Sequence, residues 1–223
     1  APLNIILNSL ELVHSAWKEK DTTIPFERIF DITQRNINRL EQLIDNILDM
    51  EKIEAGEKLA YTVDIDVPTL VQEVQEVITP LVASRTQTLH YEVPDRLPPM
   101  RGDPDMLRRV LINLLENATK FTPRNGMITL SVTVDEDNFR FSVTDTGKGI
   151  QAEEAKHVFE IFYRGKGQEQ RVKGSGIGLA FCKQAVEAHN GKIWVESRPE
   201  GGSTFIFTIP RRRPHTNAPE TGA

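Results

Sequence analysis

Four short groups of residues in the second half of the chain have the types and spacing to handle a nucleotide-like anion. Asn113, Asn117 and Lys120, in NLLENATKFT, are spaced to share one face of a helix. Two carboxamides and an ammonium would then project together; an asparagine oxygen can ligate Mg²⁺, and a lysine meets phosphate as a point charge. A plain pair of surface asparagines is the alternative. Asp145, Gly147 and Gly149, in DTGKGI, directly follow a run that alternates as a strand. An ionised carboxylate only accepts hydrogen bonds, so Asp145 suits an exocyclic amine such as that of adenine, and the glycines let backbone approach a ring. An ordinary turn is the competing reading. Phe159, Phe162 and Arg164 stand in FEIFYRG, where the aromatics read as core and Arg164 as free to reach phosphate. Gly174, Gly176 and Gly178, in GSGIGLA, open a helix and would present a nest of N–H groups to an anion. No Gly-Lys-Ser/Thr follows and no strand-loop-helix dinucleotide unit surrounds them, so neither a P-loop nor a Rossmann site is implied.

These groups need positioning elements, and the pattern along the chain supplies them. Leu3, Leu7, Leu10, His14 and Trp17 are spaced 4-3-4-3, and after KDTTIP the spacing resumes at Phe26, Phe30, Thr33, Ile37, Leu40, Ile44 and Ile47. Both stretches predict helices with a coiled-coil-like seam, with Thr23 as N-cap, Pro25 near the first turn and Gly56 as stop. An antiparallel helical hairpin buries one side of each helix, so two copies forming a four-helix bundle is the economical arrangement. A hairpin packed on its own C-terminal domain is the alternative.

From about Leu59 the period changes. LAYTVDIDV predicts a strand, PTLVQEVQEVITPLVASR a helix and TLHYEV a strand. A helix capped by Asp103 with Pro104 at its first position runs through the asparagine group. MITLSVTVDED and NFRFSVTDTG predict a hairpin meeting near Asp137 and Asn138; GIGLAFCKQAVEAHNG predicts a helix, and KIWVESRP and GGSTFIFTIP a last strand pair. Helices and antiparallel strands interleave without regular βαβ alternation, which predicts an α+β two-layer sandwich. The boundaries expected are 1–57 for the hairpin, 58–210 for the sandwich and 211–223 for a disordered tail.

Composition narrows the function classes. The 223 residues are 39% hydrophobic, enough for a core, and the net charge is −5 with 27 basic and 32 acidic residues well mixed. No basic stripe suited to nucleic acid is present. No apolar run approaches the roughly 20 residues that span a bilayer, so no membrane contact is expected from these residues. Cys182 is the single cysteine. It excludes an internal disulfide, reads as buried packing, and fits a cytoplasmic setting.

The order of the four groups, with the basic stretch GKGQEQRVKG at 165–174 between the third and fourth, resembles the catalytic and ATP-binding domain of two-component sensor histidine kinases. Their N, G1, F and G2 boxes would fall at 113–122, 145–150, 159–164 and 174–179, and GGSTF at 201–205 resembles a further glycine box. The hairpin resembles the family's dimerisation and histidine-phosphotransfer domain, so the likeness covers about residues 1–210. The resemblance implies ATP and Mg²⁺ as cofactors. Asn117 would ligate the metal, Asn113 and Lys120 would approach the phosphates, and Asp145 would hold the adenine amine beside Gly147, Gly149 and Ile150. Arg164, Gly174, Ser175, Gly176, Gly178 and Leu179 would serve the phosphate side, Thr204 would stand in the last glycine box, and 165–174 would form a lid. Phe121 stands where the family often has tyrosine, which puts any hydroxyl contact there in doubt.

The family's phosphate acceptor is a histidine in a motif like His-Glu-Leu-Arg-Thr-Pro-Leu, and APLNIILNSLELV resembles the helix from the residue before that proline. The acceptor and its acidic neighbour are then expected upstream of Ala1, with no catalytic residue of their kind in this chain. His14 sits on the seam more than two turns past the motif; His90, His157 and His189 fall in the ATP domain and His215 in the tail. A response-regulator receiver domain is the implied partner, alongside a homodimer through residues 1–57. The related gyrase, Hsp90 and MutL ATPases have a glutamate base where Asn113 stands, and a carboxamide cannot take a proton from water. Glu116 lies about 60° around the helix from Asn113 and about 100° from Asn117. Phosphoryl transfer to a side chain is therefore expected over hydrolysis, with a regulatory or phosphatase-type module as the other reading.

Overall fold

The structure is a computed structural model that describes residues 2–19, 23–54, 62–163, 176–198 and 201–211. The expected helix stop at Gly56, the first three residues of the LAYTVDIDV strand, the 165–174 lid and residues 212–223 of the expected tail lie outside them. The chain separates into two compact units, Ala1–Glu51 and Lys52–Ala223.

The first unit is the predicted helical hairpin, with α1 at Pro2–Glu19 and α2 starting at Phe26 and running to Glu54. The Ile29 N–H bonds Pro25 O at 3.1 Å, so Pro25 stands immediately before the helix and the expected cap Thr23 lies two residues outside it. Ala16 and Ile29 are buried, while Leu3, Leu7, Leu10, Phe30, Ile44 and Ile47 are between 42% and 69% exposed. The seam is thus largely uncovered in one copy of the chain.

The second unit is built on a five-stranded sheet in the order β2-β4-β5-β7-β6, formed by β2 (Thr88–Glu92), β4 (Met127–Val134), β5 (Asn138–Asp145), β6 (Lys192–Ser197) and β7 (Ser203–Pro210). β2 joins β4 in parallel and every other pairing is antiparallel. Alternation decides the faces. Leu130, Val143 and Phe205 lie across from one another, as do Val132, Phe141 and Phe207, and all are at most 5% exposed. Phe141 and Phe207 stack at 4.6 Å between centroids. Three helices, α3 (Val67–Ser84), α4 (Pro104–Phe121) and α6 (Gly178–Ala188), cover that face. The result is the expected two-layer α+β sandwich.

Each helix inserts an apolar stripe. Val67, Leu70, Val71, Val74, Ile78 and Val82 of α3 recur at helical spacing, and α4 buries Leu107, Val110, Leu111, Leu114 and Leu115. Complete burial of such side chains is worth about 1.5–3 kcal/mol apiece before entropy. Asp103 caps α4 as expected, accepting from Asp105 N–H and Met106 N–H, both at 3.0 Å, and Asp66 caps α3 by accepting from Thr69 N–H. Two elements were not foreseen. β1 (Val63–Ile65) pairs with β3 (Met100–Gly102), and MRG is too short to show alternation; α5 (Ala152–Ala155) is a single turn.

Candidate functional site

The site is assembled where the C-terminal half of α4, the turn after β5 and the start of α6 converge. Asn113 turns its amide inward, donating from Nδ2 to Arg109 O at 2.9 Å. Its Oδ1 lies against the first residue of α6: a Cβ on Gly178 would come within 2.7 Å of it. Asn113 is therefore a packing element as well as a polar group. Asn117, one turn on, is half-buried, and its side chain makes no hydrogen bond among the described residues. Lys120 is paired with Glu116, Nζ to Oε2 3.3 Å, a contact the sequence reading did not anticipate although the i,i+4 spacing signals it.

Asp145 ends β5 and is 4% exposed. Burial raises its carboxyl pKa above the usual carboxylate range, opposed by the Gly147 and Ser203 N–H groups and by the charge of Arg198. The Gly147 N–H donates to Oδ1 at 2.7 Å. Gly147 has no room for a side chain, since a Cβ would lie 2.6 Å from Phe121 O and 2.7 Å from Asp145 Oδ1. This contact pins the turn onto the end of α4 and brings Phe121 to the site through its carbonyl. Gly149 and Gly202, with φ of +76° and +88°, pack backbone to backbone, and a Cβ on Gly202 would stand 2.0 Å from Asp145 O. That close approach is the physical reason for the GGSTF glycines, which spacing alone did not reveal. Ile150 accepts from the Ser197 hydroxyl and so ties the turn to β6.

Thr204 is a different matter. Sheet alternation turns it away from Asp145, its hydroxyl meeting that of Thr144 at 3.1 Å on the other face. Ser203, 3% exposed, is the neighbour whose N–H reaches Asp145. Strand parity decides which member of the GGSTF block faces in.

At the third side, α6 begins at Gly178 with no side-chain hydrogen bond capping it at Ile177, leaving first-turn N–H groups for an anion, and Leu179 is half-buried in that turn. Gly176, φ +73°, packs on Phe162 Cα at 2.8 Å from its Cβ position, and Phe162 N–H bonds Gly176 O at 2.9 Å. The expectation that both aromatics are core needs correction. Phe159 is half-buried, edge-on to Phe205, but Phe162 is 68% exposed because this backbone pairing and its φ of +64° project the ring outward. Arg164, Gly174 and Ser175 lie outside the described residues.

Two further contacts lock the frame. His189 is 6% exposed: Nδ1–H donates to Ala185 O at 2.7 Å and Nε2 accepts from Asp103 N–H at 2.9 Å. Burial lowers its pKa, against the Ala185 bond and the Asp103 charge, so the ring is held neutral. Nothing local in the sequence signals this bond, whose partners are 86 residues apart. Cys182 is fully buried as expected, with Sγ 3.7 Å from Val110 O, and burial pushes its thiol pKa up. Among the described residues no three His, Cys, Asp or Glu cluster to hold a metal by themselves.

The groups present fit a nucleotide: a buried acceptor beside close-packed glycines at one end, and at the other a carboxamide unbonded among the described residues and a helix start whose N-cap side chain gives no hydrogen bond. Comparison with known proteins agrees. Residues 102–213 match the histidine kinase-, DNA gyrase B- and HSP90-like ATPase family, and residues 1–56 match the His Kinase A phospho-acceptor domain. The adaptive-response sensory kinase SasA of Microcystis aeruginosa is 34% identical over 214 residues, 94% of this chain and 56% of that protein. That of Synechococcus elongatus is 36% identical over 184 residues, 82% and 47% respectively. The chain thus spans about half the length of the curated relatives it matches. The catalytic domain of histidine kinase ThkA aligns with a TM-score of 0.60 and 29% identity over 68% of this chain and 98% of that one. ThkA in complex with response regulator protein TrrA aligns at 0.71 and 24% identity over 95% and 58%, a likeness of fold. No described helix is long and apolar enough to cross a membrane.

Proposed function

This chain belongs to the two-component sensor histidine kinases, and from that premise we propose that its second unit binds ATP with Mg²⁺ for transfer of the γ-phosphoryl group to a histidine. In the full-length protein that histidine precedes Ala1, and a response-regulator aspartate receives the group next. Residues 1–57 serve as dimerisation and phosphotransfer hairpin and 58–210 as catalytic domain. The observation that carries the reading is Asp145: a carboxylate 4% exposed, fixed by the Gly147 and Ser203 N–H groups beside close-packed glycines and without an ion pair among the described residues, keeps acceptor capacity for a ligand amine.

In this reading Asp145 accepts from the adenine amine while Gly147, Gly149 and Ile150 shape the ring pocket. Asn117 offers its carboxamide oxygen to the metal, and Lys120 exchanges Glu116 for phosphate oxygens. Gly176, Gly178 and Leu179 place the start of α6 against the phosphates, with Arg164, Gly174 and Ser175 assigned to the same side. Mg²⁺, when bound, would neutralise phosphate charge during transfer. Asn113, bonded to Arg109 O, is no general base. An exposed seam on α1 and α2 supports a four-helix bundle of two chains, and the ThkA–TrrA complex supports a receiver domain as partner.

Two measurements test this. Calorimetry with ATP·Mg²⁺ should give saturable binding that Asn117→Ala weakens only when the metal is present; identical affinities would remove Asn117 from the site. Incubation with γ-labelled ATP should leave residues 1–223 unlabelled, while a chain extended upstream by about three helical turns gives an acid-labile, base-stable phosphoprotein. Equal labelling of both would put the acceptor inside this chain, with His14 the first suspect.

A further inference from the structure

At the edge of the sheet away from the nucleotide site, α3 and β2 border an open groove of about 640 Å³. Its floor is apolar, made by Val71 and Val93 with the rings of Pro68 and Pro80. Three features suggest what it holds. The first is the strand itself. β2 is at the end of the sheet order, and the bond from Thr88 N–H to Gly126 O sets the phase of its parallel ladder, so the N–H and C=O groups of Leu89 and Tyr91 point away from β4. No backbone partner meets them among the described residues. TLHYE contains neither the lysine nor the proline that commonly blocks such an edge, whereas the opposite edge strand β6 starts with Lys192.

The second feature is charge. Glu76 and Asp95 line the groove, make no ion pair among the described residues, and share the lining with no basic side chain. Pro80 has no N–H to give the Glu76 carbonyl, which therefore lacks its usual helical donor in the same wall. The third is Tyr91, a lining residue of the groove whose hydroxyl is buried behind it without a hydrogen-bond partner. Burial pushes its pKa up to about 12, which keeps it a donor.

We propose that this groove and the open edge of β2 form a docking site for an extended basic peptide of a partner protein. The peptide backbone adds to β2 at Leu89 and Tyr91, and its lysine or arginine side chains meet Glu76 and Asp95. Apolar side chains on alternate positions fill the floor over Val71 and Val93. The acidic wall excludes nucleic acid and anionic lipid surfaces by repulsion. The site is independent of the nucleotide reading.

The test uses the whole chain and a fluorescein-labelled seven-residue peptide of alternating lysine and valine. Its anisotropy should rise saturably, and an alternating glutamate and valine peptide should not bind. Glu76→Lys with Asp95→Lys should weaken binding by about tenfold or more, as charge reversal at two contacts does. An unchanged thermal melting temperature in this exposed double variant confirms its fold. N-methylation of the probe amides that face β2 should abolish binding, and hydrogen exchange at Leu89 and Tyr91 should slow when the unmodified probe is present. Equal binding of the acidic peptide, indifference to either the double substitution or N-methylation, or no binding at all overturns the proposal. So does displacement of the probe by rising chain concentration, which would make a second copy the occupant.

Discussion

Replacing Asp145 by Asn should change which base the site prefers. The Gly147 N–H already donates to Oδ1 at 2.7 Å, so an asparagine must keep its oxygen there and aim its NH₂ where the second carboxylate oxygen was. An adenine amine then meets a donor instead of an acceptor. Loss of a charge-assisted bond at a position 4% exposed, where water cannot substitute, should weaken ATP by about 1.5–3 kcal/mol, roughly 10- to 150-fold. Guanine carries an acceptor at the same place, so the ATP-to-GTP affinity ratio should fall by more than the ATP loss alone. Calorimetry with both nucleotides on both proteins measures this, with thermal melting as the folding control. The pH dependence supplies a second arm. Burial raises the Asp145 pKa, and binding requires the ionised form, so parent affinity should fall on acidification sooner than an ordinary carboxylate would dictate. The variant should lack that component. A folded variant with parental ATP affinity, or an unchanged nucleotide ratio, would refute the assignment of Asp145 to the base.

Other outcomes follow from contacts already described. His189→Leu strands the Asp103 N–H and weakens the end of α6, a loss of about 1–3 kcal/mol per unsatisfied group in urea unfolding. Because burial lowers the His189 pKa below its ordinary 6.5, its contribution is present above that pH and lost as pH falls through the folded value, so the parent should weaken from pH 7.5 to 5.5 more than the variant does. Gly202→Ala must place a Cβ 2.0 Å from Asp145 O at φ +88° and should cost about 1–3 kcal/mol from the backbone alone while lowering nucleotide affinity; parental values of both would contradict the geometry. Leu40→Asp with Ile44→Asp should convert a dimer to monomers in light scattering, since charges in a bundle core are desolvated. A parent already monomeric at tens of micromolar, roughly where weak association shows, would count against the bundle.

What the sequence disclosed and what it hid divide along physical lines. α4 was legible because Asp103, Pro104 and a strong apolar period all agree, and the β4–β5 hairpin because alternation breaks at Asp137 and Asn138. These are local signals. The roles of Gly147 and Gly178 were visible only as glycines in a pattern; their reasons, a carbonyl of Phe121 and a carboxamide of Asn113, belong to other elements. Thr204 was misplaced within its box because parity in β7 is set by the pairing with β5. Phe162 read as core from its type, and only the left-handed backbone beside Gly176 turns it out. The open edge of β2 could not be seen at all, since it depends on strand order.

The contacts between α4 and α6 bear on how such kinases can be recombined. Gly178 meets Asn113, Cys182 meets Val110, and His189 meets Asp103, so the two helices are keyed together in antiparallel order at three levels. A chimera that takes its asparagine helix from one relative and its glycine-loop helix from another must keep residues matched to Asn113, Gly178, Cys182 and His189 to preserve all three keys. The natural unit of exchange therefore runs from Gly102 to Asn190 as one cassette, and crossover points inside it that mismatch these residues should yield poorly folded hybrids even between parents that bind the same nucleotide.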